Sequence, residues 1–167
     1  LAIEGQKALT GSGDPEDGNG YRDSARRLED TVETLVDAAP KDDRWDGAAA
    51  EEYGRANTVH RKQASNTSVA DKAIGEVIAR EAGQIRRTRQ TLDEASQTLY
   101  DFGLATSWMM FVPPLIPAKL EADIAAATAA LGVTTKAISE LAIDSVANAQ
   151  RIMETLQDLS LIHISEP

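Results

Sequence analysis

Arg44-Trp45-Asp46-Gly47-Ala48-Ala49-Ala50-Glu51-Glu52-Tyr53 is the stretch where a bulky aromatic, a helix-capping acid, a glycine and a run of small residues meet. Long segments with helical periodicity lie on both sides of it, so the stretch reads as a corner between helices. Two readings of the corner stand. In the plainer one, Trp45 plugs the open end of a helical hairpin, and Gly47 and the alanines let two helices approach closely. In the sharper one, Trp45, Gly47 and Tyr53 form a shaped end surface that a partner recognises. The packing is common to both.

Before the corner, apolar residues at Tyr21, Ala25, Leu28, Val32, Leu35, Val36 and Ala39 fall in steps of three and four. That spacing puts them on one helical face and predicts a helix over about 21–39. Pro40 stops it, because proline has no N–H and restricts the residue before it. Lys41-Asp42-Asp43-Arg44 makes a short polar connection.

After the corner, Asp46 is suited to N-cap a helix opening near Gly47, with Glu51 and Glu52 near the positive end of its dipole. No proline follows until Pro113. The face Tyr53, Ala56, His60, Thr67, Ala70, Ile74, Ile78, Ile85, Thr88, Leu92, Leu99 and Phe102 predicts one very long central helix over 47–107, about 90 Å at 1.5 Å per residue. The face is weak and polar from His60 to Thr67, so a break near Asn66 is the alternative. Met109 to Pro117 holds three prolines in five residues, which forbids continuous helix and makes a hairpin tip. A third long helix is expected over 118–158 on the face Leu120, Ile124, Ala127, Leu131, Ala137, Ile138, Leu141, Val146, Ala149, Ile152 and Leu156, with Gly132 as a possible bend. Residues 1–20 read as flexible or weakly structured, because Gly11 to Gly20 is turn chemistry, with the short piece before it a candidate helical fragment. Residues 159–167 read either as a last helical turn or as an appended scar. The fold class is therefore all-α: an elongated antiparallel helical bundle with one helix–turn–helix corner, the first helix packing near Trp45.

Composition supports this. Hydrophobic residues make up 42% of the 167-residue chain but aromatics only 4%. Alanine and aliphatics must then fill the core, which suits helix on helix. The 17 basic and 27 acidic residues leave a net charge of −10, which disfavours nucleic acid as a partner. There is no cysteine, hence no disulfide or thiolate metal site. No segment reaches the roughly 18 apolar residues of a membrane span. Leu1 to Thr10 lacks the basic-then-apolar order of a cleavable signal peptide, and a chain opening on Leu1 suggests a trimmed N-terminus.

No catalytic constellation is present, so no enzyme activity, cofactor or metal is expected. His60 and His163 stand far apart, and neither has a glutamate three places before it, as a di-metal bundle requires. His60 is expected to be a partly buried residue of the polar seam. Arg80, Arg86, Arg87 and Arg89 form the basic cluster. They read as a solvated face paired with acids of the third helix such as Glu121, Asp123 and Glu140, or else as a docking patch. The tip, with Trp108, Met109, Met110, Phe111, Val112, Leu115 and Ile116, offers apolar surface at a hairpin end. It is either a contact site, to which methionine is suited, or a small core of its own.

The helix–Trp-x-Gly–helix arrangement resembles the WxG superfamily of type VII (ESX) secretion substrates. The longer string Trp45 to Tyr53, followed by Asn57 and His60, resembles more specifically the N-terminal domain of the EspA/EspE family of mycobacterial secretion-associated proteins, which carries a W-x-G-x-A-A-x-x-Y run. Glu81-Ala82-Gly83-Gln84-Ile85-Arg86-Arg87-Thr88-Arg89-Gln90-Thr91-Leu92 is similar to that family's Q-A-x-x-V-x-x-T-R-x-x-L segment. The resemblance covers about Tyr21 to Leu156. It departs in the last third, where Lys119 to Leu156 is amphipathic while the family has a nearly continuous apolar stretch. It departs again in the export signal: Tyr21, Tyr53 and Tyr100 are followed four places on by Ala25, Asn57 and Leu104, so no Tyr-x-x-x-Asp/Glu is present.

The resemblance implies a non-enzymatic, virulence-associated protein, secreted or cell-envelope associated, leaving the cytoplasm without a cleavable signal peptide. It implies Trp45, Gly47 and Tyr53 as recognition residues. It implies co-export with an EspC-like or other WxG/YxxxD-bearing helical-hairpin protein that supplies the missing signal. A cytosolic secretion chaperone and self-assembly are further expected uses of the tip. The alternative is the N-terminal delivery domain of a larger secreted effector or toxin.

Overall fold

The computed structural model describes residues 2–41 and 45–164, with side chains to 161. Asp42, Asp43 and Arg44 of the polar connection, Leu1 and the last three residues of the tail lie outside the described residues. The elements are α1 (Ala2–Ala8), α2 (Asn19–Asp37), α3 (Ala48–Thr106), two 3₁₀ turns (Ser107–Phe111 and Pro113–Leu115) and α4 (Ile116–Ile164). No strand occurs among the described residues. The fold is all-α, with the long central helix the spacing predicts. α3 passes through Asn66 without a break, and α4 passes through Gly132. The chain divides into two compact units.

One unit comprises Glu16–Arg80 and Ala147–Pro167. In it α2 packs on the first half of α3. The approach is closest at Gly18 and Gly75. Gly18 is left-handed (φ 74°), and a Cβ on it would sit 2.4 Å from the Gly75 carbonyl oxygen. The Asp17 carboxylate accepts the Asn19 N–H at 3.0 Å as α2 begins, two residues before the apolar stripe starts. The buried face is small and aliphatic: Ala25, Ala70, Ile74 and Val77. Two polar side chains join it. Ser68 Oγ donates to the Ala25 carbonyl at 3.1 Å, and Asn57 Nδ2 donates to the Leu35 carbonyl at 2.8 Å. The second bond has a clear cause. Near the end of α2 the Ala38 N–H goes to Thr34 O and the Ala39 N–H to Val36 O. The Leu35 carbonyl is passed over, and Asn57 takes up this orphan acceptor of the helix terminus.

These contacts correct the expected face of α3 at its start. Ala50, Asn57 and Ser68 are buried and Gly54, Arg61, Gln63, Ala64, Asn66 and Thr67 half-buried, so Thr67 of the expected face does turn inward, whereas Ala56 and His60 are exposed. His60 is thus no seam residue. Polar groups share the inner side here with small residues, so a search for apolar residues misplaces the face at Ala56 and His60.

The other unit comprises Leu1–Pro15 and Glu81–Val146. The second half of α3 packs on the first half of α4 around Ala82, Leu92 and Thr134, all almost fully buried. Ser145 Oγ donates to the Glu81 carboxylate between them. The N-terminal segment, expected to be weakly structured, is docked on this pair. Ile3 is buried, Gln6 donates to Thr135 Oγ1 at 3.0 Å, and Lys7 pairs with Asp93 at 2.6 Å. The strap after α1 is held by Arg89. Its Nε donates to Thr10 Oγ1 (2.9 Å), and its two Nη groups reach the carbonyls of Thr10, Gly11 and Gly13 at 2.8, 3.0 and 2.5 Å. A planar guanidinium suits several carbonyls of a tight loop at once. This corrects the reading of the basic cluster, since Arg89 clasps backbone. Asp123, expected to face an arginine, pairs with Lys119 of its own helix.

Candidate functional site

The corner begins where Pro40 ends the run after α2. The Trp45 N–H donates to the Lys41 carbonyl at 3.2 Å. Gly47 then adopts φ 88°, a left-handed value that costs little only for glycine. Its carbonyl accepts the N–H groups of Ala50 (3.0 Å) and Glu51 (3.1 Å), opening α3. The first helical residue is Ala48, so the cap position falls on Gly47 and not on Asp46 as the sequence suggests.

Tyr53, in the second turn of α3, comes under Trp45. Their ring centroids lie 5.1 Å apart with planes tilted by 48°, a favourable aromatic geometry. Neither ring is enclosed: Trp45 is 44% exposed and Tyr53 39%. The corner therefore presents a paired aromatic surface, with about half of Trp45 left to solvent.

Beside the pair is an open cavity of about 380 Å³, lined by Pro40, Gly47, Ala50, Gly54, Asn57 and Arg61 among others. Asn57 is 3% exposed. Its amide nitrogen is used by Leu35, but its oxygen is buried without a hydrogen-bond partner, as is Nε of Arg61 one turn on. Arg61 Nη2 reaches Thr58 Oγ1 at 3.3 Å. Spacing flags neither residue; Asn57 stands out in the sequence only through the family resemblance. The nearest sequence signal is a step of seven from Ala50 to Asn57.

The second candidate surface is the tip, which belongs to the other unit. Two 3₁₀ turns carry the chain over Ser107–Phe111 and Pro113–Leu115. Pro117 then falls in the first turn of α4, where no helical hydrogen bond needs its N–H. Trp108, Met110, Phe111, Val112 and Ile116 are exposed, while Met109 and Leu115 are half-buried. Among the described residues no group of three or more histidines, cysteines or acids could hold a metal ion.

Fold and corner together define a class: an all-α protein whose first hairpin turns at a Trp-x-Gly corner. The chain belongs to the EspA/EspE family, whose model matches residues 10–94. Among its relatives, the ESX-1 secretion-associated protein EspE of Mycolicibacterium smegmatis is 32% identical over 155 residues, covering 92% of this chain and 29% of that protein. The ESX-1 secretion-associated protein EspA of Mycobacterium tuberculosis is 27% identical over 162 residues, covering 95% of this chain and 41% of that protein. The chain thus spans less than half the length of these relatives. No solved structure matches it. The family match runs from Thr10, held by Arg89, to just past Leu92, so it takes in both the strap and its clasp.

Proposed function

We propose that this chain acts in type VII secretion through protein contacts and without catalysis. Trp45, Gly47 and Tyr53 form the corner read by a partner or by the secretion machine. The partner is a helical-hairpin protein that carries the Tyr-x-x-x-Asp/Glu signal this chain lacks, and the two are exported together. The tip is a second contact surface. The observation that carries this reading is the half-exposed Trp45–Tyr53 pair, too open for a plug alone, at the turn that the left-handed Gly47 makes. Relatives named as ESX-1 secretion-associated proteins support the pathway.

Trp45→Ala tests it. A tryptophan already half in solvent loses less on truncation than a buried one, about 1–2 kcal/mol rather than 3–5. The variant should stay folded by circular dichroism, with a modestly lower melting temperature, yet fail to be exported and fail to co-purify with its partner. Normal export and pairing of a folded Trp45→Ala protein would remove the recognition role. Export that persists with every hairpin partner deleted would remove co-export.

A second reading is that the chain is the delivery portion of a longer effector, with activity residing elsewhere. The greater length of the relatives favours it. It expects this stretch alone to carry a fused reporter out of the cell; retention of the fusion argues against it.

A further inference from the structure

From Phe102 to Ala118 the chain carries no charged residue. The structure folds this span into the tip, with its largest apolar side chains outward. Phe111 is 86% exposed, and Trp108 and Met110 stand more than half exposed beside it. On the adjoining helices Leu104 of α3 and Leu120 and Ile124 of α4 are also more than half exposed.

The backbone of the tip is equally unusual. The Val112 N–H donates to the Met109 carbonyl at 3.3 Å, the Leu115 N–H to the Val112 carbonyl at 2.8 Å, and the Ile116 N–H to the Pro113 carbonyl. Residues 113, 114 and 117 are prolines and have no N–H. From Val112 to Pro117, then, every N–H is either paired within the tip or absent. A turn in water needs no such arrangement, because water satisfies any donor left over. Hydrocarbon does not, and irregular backbone enters it only when its polar groups are paired internally. The charges bordering the span are Asp101 and Lys119. Lys119 is buried, 5.9 Å from the Phe102 ring centroid and paired with Asp123, so it presents no free cation to an anionic surface.

We propose that this tip inserts into the interfacial zone of a lipid bilayer, with Phe111 and Met110 deepest and Trp108 at the headgroup level that tryptophan favours. It wedges and does not span, since no helix among the described residues is long and apolar enough to cross a membrane. The attraction is apolar. A net charge of −10 means that zwitterionic surfaces accept the tip better than anionic ones.

The protein is floated with phosphatidylcholine vesicles, alongside Phe111→Asp, Met110→Asp and the control Ile143→Asp. Ile143 is as exposed as the tip residues but lies far along α4. All three sites are exposed, so folding is unaffected, and circular dichroism checks it. The wild type and the control should float equally. Each tip variant should lose about tenfold or more in partitioning, because an acid replaces an apolar group in the membrane. Adding phosphatidylglycerol should weaken binding. The proposal is overturned if the wild type does not float, if Ile143→Asp loses as much as Phe111→Asp, or if binding appears only with anionic lipid. It is also overturned if Phe111→Asp changes only the oligomeric state in lipid-free buffer, which would make the tip a contact between copies. Trp45→Ala should float normally, so this outcome is separate from that of the corner.

Discussion

Gly18 and Gly75 show how little room a single residue can leave. A Cβ at Gly18 would need both a left-handed backbone and space already taken by the Gly75 carbonyl, 2.4 Å away. Gly18→Ala should therefore cost about 2–4 kcal/mol, combining backbone strain with overpacking against backbone that cannot rotate aside. Gly47→Ala offers the comparison. Its φ is also left-handed, but nothing lies within 4 Å of the added Cβ, so the cost should stay near 1–2 kcal/mol, the left-handed penalty alone. Urea denaturation of both variants separates crowding from strain; equal losses would mean that the contact with Gly75 relaxes freely. Asn57 is a different case. Asn57→Leu removes an unsatisfied buried oxygen but orphans the half-buried Leu35 carbonyl, and a carbonyl left bare away from water costs about 1–3 kcal/mol. Net destabilisation is expected, read by the same denaturation. Lys7 lies on the surface, and its hydrogen bond to Asp93, with the attraction of that carboxylate, raises its pKa above the ordinary lysine value. A raised folded-state pKa stabilises below the unfolded value and is lost as pH rises through the folded one. The stability difference between wild type and Lys7→Met should therefore be constant through neutral pH and vanish only in strong alkali. It should also shrink with salt.

At the scale of elements, periodicity read the helices well and their inner faces unevenly. From Ala70 onward the buried positions of α3 are mostly apolar, with Thr88 the polar exception, and Ala70, Ile74, Thr88 and Leu92 lie where the spacing puts them. Before Ala70 the inner side of α3 is held by Asn57 and Ser68, whose work is to bond carbonyls of α2. That role depends on which helix lies opposite, and spacing along one chain does not carry it. The N-terminal strap was illegible for a related reason. Gly11 to Gly13 is turn chemistry whether or not anything holds it. The residue that holds it, Arg89, is 76 positions further on from Gly13. The corner was legible in outline, because Trp, Gly and Tyr carry their own geometry, but the bonds that place Asn57 and Arg61 beside it were not. Arg89→Ala should therefore release the strap. With several charged hydrogen bonds lost, about 2–3 kcal/mol of local stability goes with it. Backbone amide exchange at residues 2–13 should accelerate while exchange around Leu92 stays slow. Uniform acceleration would mean that the strap is integral to the core. Gly132→Ala should act in the opposite sense. A Cβ there meets nothing within 4 Å, and α4 is helical through it. Alanine is favoured over glycine inside a helix by up to about 1 kcal/mol, so the variant should melt higher.

At the scale of the whole molecule, the excess of ten negative charges acts everywhere at once, whereas the attractive pairs act locally. Ion pairs joining different elements include Lys7–Asp93 at 2.6 Å and Lys72–Glu29 at 3.4 Å, each well exposed. Exposed pairs of this kind contribute little each. Repulsion among unpaired acids is weaker per pair but involves many more pairs, over longer distances. Screening treats the two unequally. The Debye length falls from about 30 Å at 0.01 M salt to about 8 Å at 0.15 M. Partners 3 Å apart keep much of their attraction over that range, while charges two or three helix widths apart lose most of their repulsion. Raising sodium chloride from 0.01 to 0.15 M should therefore stabilise the fold, and the urea midpoint should move upward. A downward shift would mean that the local pairs outweigh the long-range repulsion. Acid should act on the same balance by another route. As pH approaches the sequence pI of about 4.6, the net charge that keeps copies apart disappears. The exposed apolar tip then meets no opposing charge, so association should set in near that pH in the wild type. It should be delayed in Phe111→Asp, which both removes apolar surface and lowers the pI. Light scattering across a pH titration of the two proteins decides this, and identical onsets would show that the tip is not the surface through which copies first meet.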